Sequence, residues 1–148
     1  SLIIAGAKGP ETNSIISLID ELGLKDRVTL LYSLTDKNLN WLYKNCKVNV
    51  CASSFEGFCL PLVEALSCNA KVVCSDIEIF REIAGDECDF FSLEGDAVNN
   101  LSKSLIESFN KTPRKRDCET LKKYGGESVS KKLIEFYESL TTADLTKF

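Results

Sequence analysis

Histidine is absent from this 148-residue sequence. The commonest general base at neutral pH is therefore missing, so an enzyme built on this chain would draw some catalytic groups from elsewhere. Seven cysteines occur (Cys46, Cys51, Cys59, Cys68, Cys74, Cys88 and Cys118), but the number is odd and no CxxC pair is among them. Without histidine or a close cysteine pair, a zinc site is not expected. The thiols read as small buried side chains in a reducing cytosol, most of them inside apolar stretches such as VNVCASS and KVVCSD. No apolar run approaches the ~20 residues needed to span a bilayer. No basic leader precedes an apolar segment, so no signal peptide is expected. Basic residues are not in excess either: 18 Lys and Arg face 22 Asp and Glu, for a net charge of -4. That balance argues against a general nucleic-acid binder, which needs a basic surface. Small anionic ligands remain open, because backbone amides can bind them.

What is present is an ordinary globular composition, 44% hydrophobic and 27% charged, at a length suited to one sizeable core. Short β-branched runs alternate with longer amphipathic segments. SLIIAG (1–6), RVTLLY (27–32), VNVCAS (48–53) and KVVCSD (71–76) predict strands, with a fifth around 89–93. Their nearly continuous apolar character predicts parallel strands buried on both faces. Helices are predicted over 12–22, 36–45, 61–68, 77–84 and 97–109. In the first, Ile15, Ile16, Leu18, Ile19 and Leu22 make one apolar stripe ended by Gly23. In the second, Thr35 or Asp36 can cap, while Leu39, Leu42 and Tyr43 face inward. Strand–helix–strand order of this kind predicts an α/β fold, a Rossmann-like doubly wound parallel sheet with helices on both faces. Residues 1–110 would form that domain. Residues 111–148 would add a linker, within the polar stretch NKTPRKRD (110–117), and a last helix over 127–140 with Val129, Leu133, Phe136 and Leu140 on one face. No internal repeat or low-complexity block is present. A chain that opens directly on a strand reads as a piece of something longer.

The stretch FEGFCLPLVE (55–64) carries two glutamates, Glu56 and Glu64, amid glycine, proline and apolar side chains. In open α/β sheets, ligands sit beyond the carboxyl ends of the strands, and this stretch follows the strand VNVCAS. Gly57 permits a tight turn and close backbone approach. Pro61 suits the first helical position. Residues 57–60 therefore predict a loop feeding a helix N-terminus, whose free amides suit phosphate. Glu56 falls in the loop and Glu64 in the first helical turn. A carboxylate accepts two hydrogen bonds side by side and so suits a vicinal diol. Two such groups flanking a phosphate cradle fit a nucleotide-diphosphate sugar. Each acid also has an ordinary reading: the macrodipole favours a glutamate in a first turn, and Glu56 can be a solvated loop charge.

The run SSFEGFCLPLVEALSCNAKVVCSD resembles the donor-binding half of GT-B-fold, family 4-type retaining glycosyltransferases, whose signature sets two glutamates seven residues apart in an EGFGLPxxEA-like run. The resemblance extends over LIIAG, LGLKDRVTLLYSLTDKNLNWLYKNC and FREIAGDECDFF, roughly residues 2–110. It implies that Glu56 contacts the donor sugar near the reacting carbon and helps stabilise charge there. It implies that Glu64 holds the ribose diol, and that the amides of Gly57, Phe58, Cys59 and Leu60 approach the diphosphate or sugar. Tyr32, Ser33 and Leu34 would lie beside the nucleobase. Glu82 matches a further recurrent acidic position. The donor would be UDP- or GDP-linked, without a bound metal, since no DxD-type acidic cluster adjoins the motif. The acceptor, a glycan or lipid-linked, would bind an N-terminal domain absent from this chain, as is an upstream arginine and lysine pair. Such an enzyme makes cell-surface polysaccharide or glycoconjugate in the cytoplasm, and peripheral association of the full enzyme with the inner face of the membrane fits it. Cys59 departs from a glycine, Ala52 from a proline, Asn69 and Lys71 from a glycine and a proline, and Tyr32 from a glycine. Lys8 reads as a solvated loop charge.

Two other classes compete. A glycoside hydrolase would use the two glutamates as acid and nucleophile or base, but needs no phosphate cradle. A non-catalytic α/β phosphate- or nucleotide-binding module would use the same crevice without preferring sugar nucleotides. An epimerase of similar fold would be expected to carry pocket histidines.

Overall fold

The computed structural model of the chain describes residues 1–112, 122 and 124–142. Side chains from 140 onward, including Leu140, lie outside the described residues, as do Cys118 and positions 113–117 of the predicted linker. The chain forms two compact units, Ser1–Leu42 and Tyr43–Phe148.

In the first unit, β1 (Leu2–Ala5) pairs in parallel with β2 (Val28–Leu31), Ile3 opposite Thr29 and Ile4 opposite Leu30. The helix between them, α1 (Thr12–Glu21), ends as its sequence requires. Gly23 takes φ +64°, its N–H bonds Asp20 O, and the Leu24 N–H bonds Ile19 O. These two bonds make a Schellman closure, which places glycine in the left-handed conformation. The β1 strand departs from the expectation of burial on both faces: Leu2 is 51% exposed and Ile3 46%. Among the described residues its ladder partner is β2 alone, and a unit this small cannot enclose both faces of a strand. The α1 stripe is likewise exposed at Ile15, Ile16, Leu18 and Leu22. Helix α2 (Asp36–Asn45) is capped by Thr35, whose Oγ1 accepts from the Asn38 N–H at 3.2 Å. Of the two candidate caps the threonine is used, which leaves Asp36 inside the first turn, where the helix dipole favours it.

The second unit contains the buried core. Its strands β3 (Asn49–Cys51), β4 (Val72–Ser75) and β5 (Asp89–Phe91) lie in that order, all parallel, with Cys51 opposite Cys74 and Cys74 opposite Phe90. Every residue of β4 is buried, as a continuous apolar strand in mid-sheet should be. Helix α3 (Leu60–Ser67) buries Leu62, Ala65 and Leu66, and α4 (Glu78–Ala84) buries Phe80, Ile83 and Ala84. Both sets fall on one helical face at i, i+3 and i+4. The α3 helix closes through Asn69 at φ +58°, with Asn69 N–H on Leu66 O and Ala70 N–H on Ala65 O. Asparagine thus fills the left-handed cap that glycine usually takes.

Helix α5 (Ala97–Asn110) starts at Asp96, whose carboxylate accepts from the Asn99 N–H. At its other end Lys71 Nζ donates to Ser108 O at 2.6 Å and to Lys111 O at 2.9 Å. The lysine that stands where a proline was expected therefore satisfies orphan carbonyls at a helix C-terminus. The predicted linker start at 110 falls within α5. The last helix, α6 (Gly126–Thr142), exposes Val129, Leu133 and Phe136, the face that sequence periodicity singled out. The chain is an α/β protein of parallel sheets flanked by helices. No described helix is long and apolar enough to cross a membrane.

Candidate functional site

Strand β3 ends at Cys51, and eight residues lead from it into α3 at Leu60. Ser53 lies in this connection, with its Oγ donating to Glu56 Oε1 at 2.7 Å. Glu56 is half-buried while its neighbour Phe55 is 88% exposed, so the loop turns the acid inward and the aromatic out.

The turn itself is made differently from the sequence expectation. Gly57 does not take a positive φ; Cys59 does, at φ +68° and ψ 75°. A left-handed conformation costs an L-residue roughly 1–2 kcal/mol, and Cys59 accepts it at the position where glycine was expected. Gly57 is open instead. A Cβ placed there would meet no atom within 4 Å from beyond its two chain neighbours, so the space beside it is available to a ligand that approaches the backbone. The Cys59 turn also starts α3 one residue early. Pro61 is therefore the second helical residue rather than the first, where its missing N–H is still costless, and Glu64 lies beyond the first turn.

The helix entrance has free donors. No side chain caps α3, and among the described residues the amides of Gly57, Phe58, Cys59 and Leu60 donate no hydrogen bond. Orphan amides at a helix start attract anions. Leu60 is 63% exposed at the entrance. Phe58 is half-buried and lies edge-on to Tyr124, ring centroids 5.2 Å apart; the Tyr124 hydroxyl also donates to Glu82 O at 3.3 Å. Glu82 thus meets the site's surroundings through its backbone carbonyl, and its residue is exposed.

Glu64 projects from the solvent side of α3, between the buried Leu62 and Ala65. Its Oε2 accepts from the Tyr43 hydroxyl at 3.1 Å. Tyr43, in the last turn of α2, is only 7% exposed. Its phenol is pushed well above the ordinary range, first by burial and then by the charge and hydrogen bond of Glu64. The Cys59 thiol lies within electrostatic reach of both acids. Burial raises it, the charges of Glu56 and then Glu64 raise it further, and the Leu62 N–H and Cys51 oppose them. Both carboxylates therefore bear on one atom at the helix mouth. Burial first and then Cys59 push the Cys51 thiol, at the end of β3, up to about 12. Among the described residues, no group of three or more Cys, Asp or Glu side chains is placed to hold a metal ion.

Glu56, Gly57, Phe58, Cys59, Leu60 and Glu64 are thus gathered around the α3 entrance. Tyr32, Ser33 and Leu34 belong to the first unit, directly after β2. Ser33 takes φ +54°, and Lys8 Nζ lies 5.1 Å from the Tyr32 ring centroid, a cation–π contact rather than a purely solvated charge. Sequence reasoning missed the roles of Tyr43, Ser53 and Tyr124. For Tyr43 a signal existed: an inward-facing tyrosine must find a partner for its hydroxyl.

A family model described as glycosyl transferases group 1 matches residues 1–127. The chain is 27% identical over 142 residues to the O-antigen chain mannosyltransferase B of Escherichia coli, a match covering 94% of this chain and 37% of that protein. It is 35% identical over 105 residues to the N-acetylgalactosamine-N,N'-diacetylbacillosaminyl-diphospho-undecaprenol 4-alpha-N-acetylgalactosaminyltransferase of Campylobacter jejuni, covering 70% of this chain and 28% of that one. Among solved structures, a sucrose-phosphate synthase from Thermosynechococcus elongatus superposes with a TM-score of 0.76 at 21% identity, over 96% of this chain and 39% of that chain. Anabaena HepE in complex with UDP gives 0.64 at 23% identity, over 95% and 40%. The chain spans well under half the length of these relatives, and its fold is that of the matching part of GT-B glycosyltransferases. By the family model that covers most of its length, the chain belongs to the glycosyl transferases group 1 family.

Proposed function

We propose that this chain is the donor-binding domain of a retaining glycosyltransferase, which moves a sugar from a UDP- or GDP-linked donor to a glycan or lipid-linked acceptor. The observation that carries the reading is the α3 entrance. Unbonded amides of residues 57–60 meet there with two acids, Glu56 and Glu64, each already held by a hydroxyl. The amides bind the diphosphate and stabilise charge as it leaves, without a metal. Glu64 clasps the ribose diol. Glu56 touches the sugar near the reacting carbon, where positive charge develops. The acceptor binds a further domain, so this chain alone binds nucleotide weakly and catalyses little.

Names among the relatives support the class of reaction. Several are O-antigen or serotype-specific mannosyltransferases, one names GDP-mannose, and one names a diphospho-undecaprenol acceptor. We extend these to a cytoplasmic role in cell-surface polysaccharide synthesis, with the full enzyme at the membrane's inner face.

The test is a thermal-shift panel of UDP, GDP, ADP, their sugars and inorganic pyrophosphate, run on the chain and on Glu64→Ala. One nucleotide is expected to raise the melting temperature selectively, and Glu64→Ala to weaken that shift. Equal shifts in the two proteins would remove the diol-binding role, and equal shifts with pyrophosphate would favour a general phosphate-binding module.

A further inference from the structure

Glu64 stands on the solvent side of α3, and a carboxylate so placed would ordinarily sample several rotamers. It does not stand alone: Tyr43 reaches it from 21 residues earlier in the chain, hydroxyl to Oε2, at 3.1 Å. The tyrosine ring is anchored, being 7% exposed, so the phenol is a fixed donor rather than a mobile one. We propose that Tyr43 is a positioning residue for the nucleotide site, holding Glu64 in the rotamer that receives a ribose diol. This rests on the donor-binding reading above and adds to it a residue outside the loop-and-helix motif.

The division of lone pairs fits the task. A carboxylate offers about four acceptor sites. Tyr43 occupies one on Oε2, leaving Oε1 and the remaining site on Oε2 for two adjacent hydroxyls. Restricting the side chain before the ligand arrives removes an ordering cost from binding. The donor also persists: burial and the charge of Glu64 hold the phenol protonated far above neutral pH, so the restraint does not titrate away in the working range.

A purely structural role for Tyr43 is separable, because Tyr43→Phe keeps the buried ring and removes only the hydroxyl. The test is a double-mutant cycle by isothermal titration on the 148-residue chain, comparing wild type, Tyr43→Phe, Glu64→Ala and the double variant. The ligands are UDP and GDP with their 2′-deoxy counterparts. For whichever ribonucleotide binds, Tyr43→Phe is expected to weaken affinity about fivefold. In the Glu64→Ala background the same change should have less than about twofold effect, because the acceptor of the Tyr43 hydroxyl is already lost. The loss should also be smaller for the 2′-deoxy compound. Unchanged affinity in Tyr43→Phe, or an equal loss in both backgrounds, overturns the positioning role while the donor-binding reading stands. Failure of the wild-type chain to bind either nucleotide overturns both.

Discussion

Ser53 Oγ donates a 2.7 Å hydrogen bond to Glu56 Oε1 within the loop that follows β3. The bond fixes a half-buried acid next to an open glycine, at the point where a donor sugar would meet the backbone. Ser53→Ala should therefore weaken the nucleotide sugar about threefold to tenfold, the range of one ordinary hydrogen bond. Binding of the bare nucleoside diphosphate should be unchanged. Titration calorimetry with both ligands checks this; equal weakening of both would mean that Glu56 is not directed at the sugar.

Cys59 is the strained residue of the site, and its φ of +68° sets which substitutions are accepted. Cys59→Gly should leave stability within about 1 kcal/mol of wild type, since relief of strain offsets the added chain entropy. Cys59→Val should cost more, about 1–3 kcal/mol, because a β-branched side chain resists the left-handed region. Urea unfolding measures both, and equal stability for the two variants would contradict the backbone geometry.

The buried Cys51 thiol and Tyr43 phenol give the protein an alkaline limit. Cys51 moves from an ordinary 9.0 up to about 12 on folding, and Tyr43 moves above its ordinary 10.0. Groups raised in this way contribute stability that is complete below their unfolded values and is lost as pH climbs through the folded ones. Melting temperature should accordingly decline from about pH 9 to about pH 12, and the decline should be shallower in Cys51→Ala. An identical pH profile in that variant would show that Cys51 does not contribute.

Leu66 and Leu60 lie on the same short helix with opposite burial, 1% and 63% exposed. Leu66→Ala should destabilise by about 2–5 kcal/mol through lost burial and an incompletely collapsed cavity. Leu60→Ala should stay within about 0.5 kcal/mol. Denaturant midpoints of the two variants decide this, and similar losses would move the core off the α3 face assigned here.

Much of this architecture was legible from spacing. The α2 bounds are those read from the sequence, and the other helices differ by one or two residues at their ends, because i, i+3, i+4 stripes and cap residues are local signals. Strand positions followed from β-branched runs for the same reason. What the sequence could not assign was burial that depends on distant chain: LIIA and VVCS look alike, yet β1 is exposed and β4 is fully buried. The motif's chemistry was legible in Glu56 and Glu64, whereas its backbone mechanics were not. The strained turn sits at Cys59 rather than Gly57, since the path of the loop decides which residue must turn. The Tyr43–Glu64 bond joins positions 21 residues apart, and no local pattern reports a contact across that separation.

The most direct measurement is a crystal structure of the chain soaked with whichever nucleoside diphosphate gives the largest thermal shift. Phosphate oxygens should lie within hydrogen-bonding distance of the amides of residues 57–60, with the ribose hydroxyls on Glu64. A diphosphate bound elsewhere, or a Glu64 carboxylate turned away from the ribose, would contradict the assignment of the α3 entrance as the donor site.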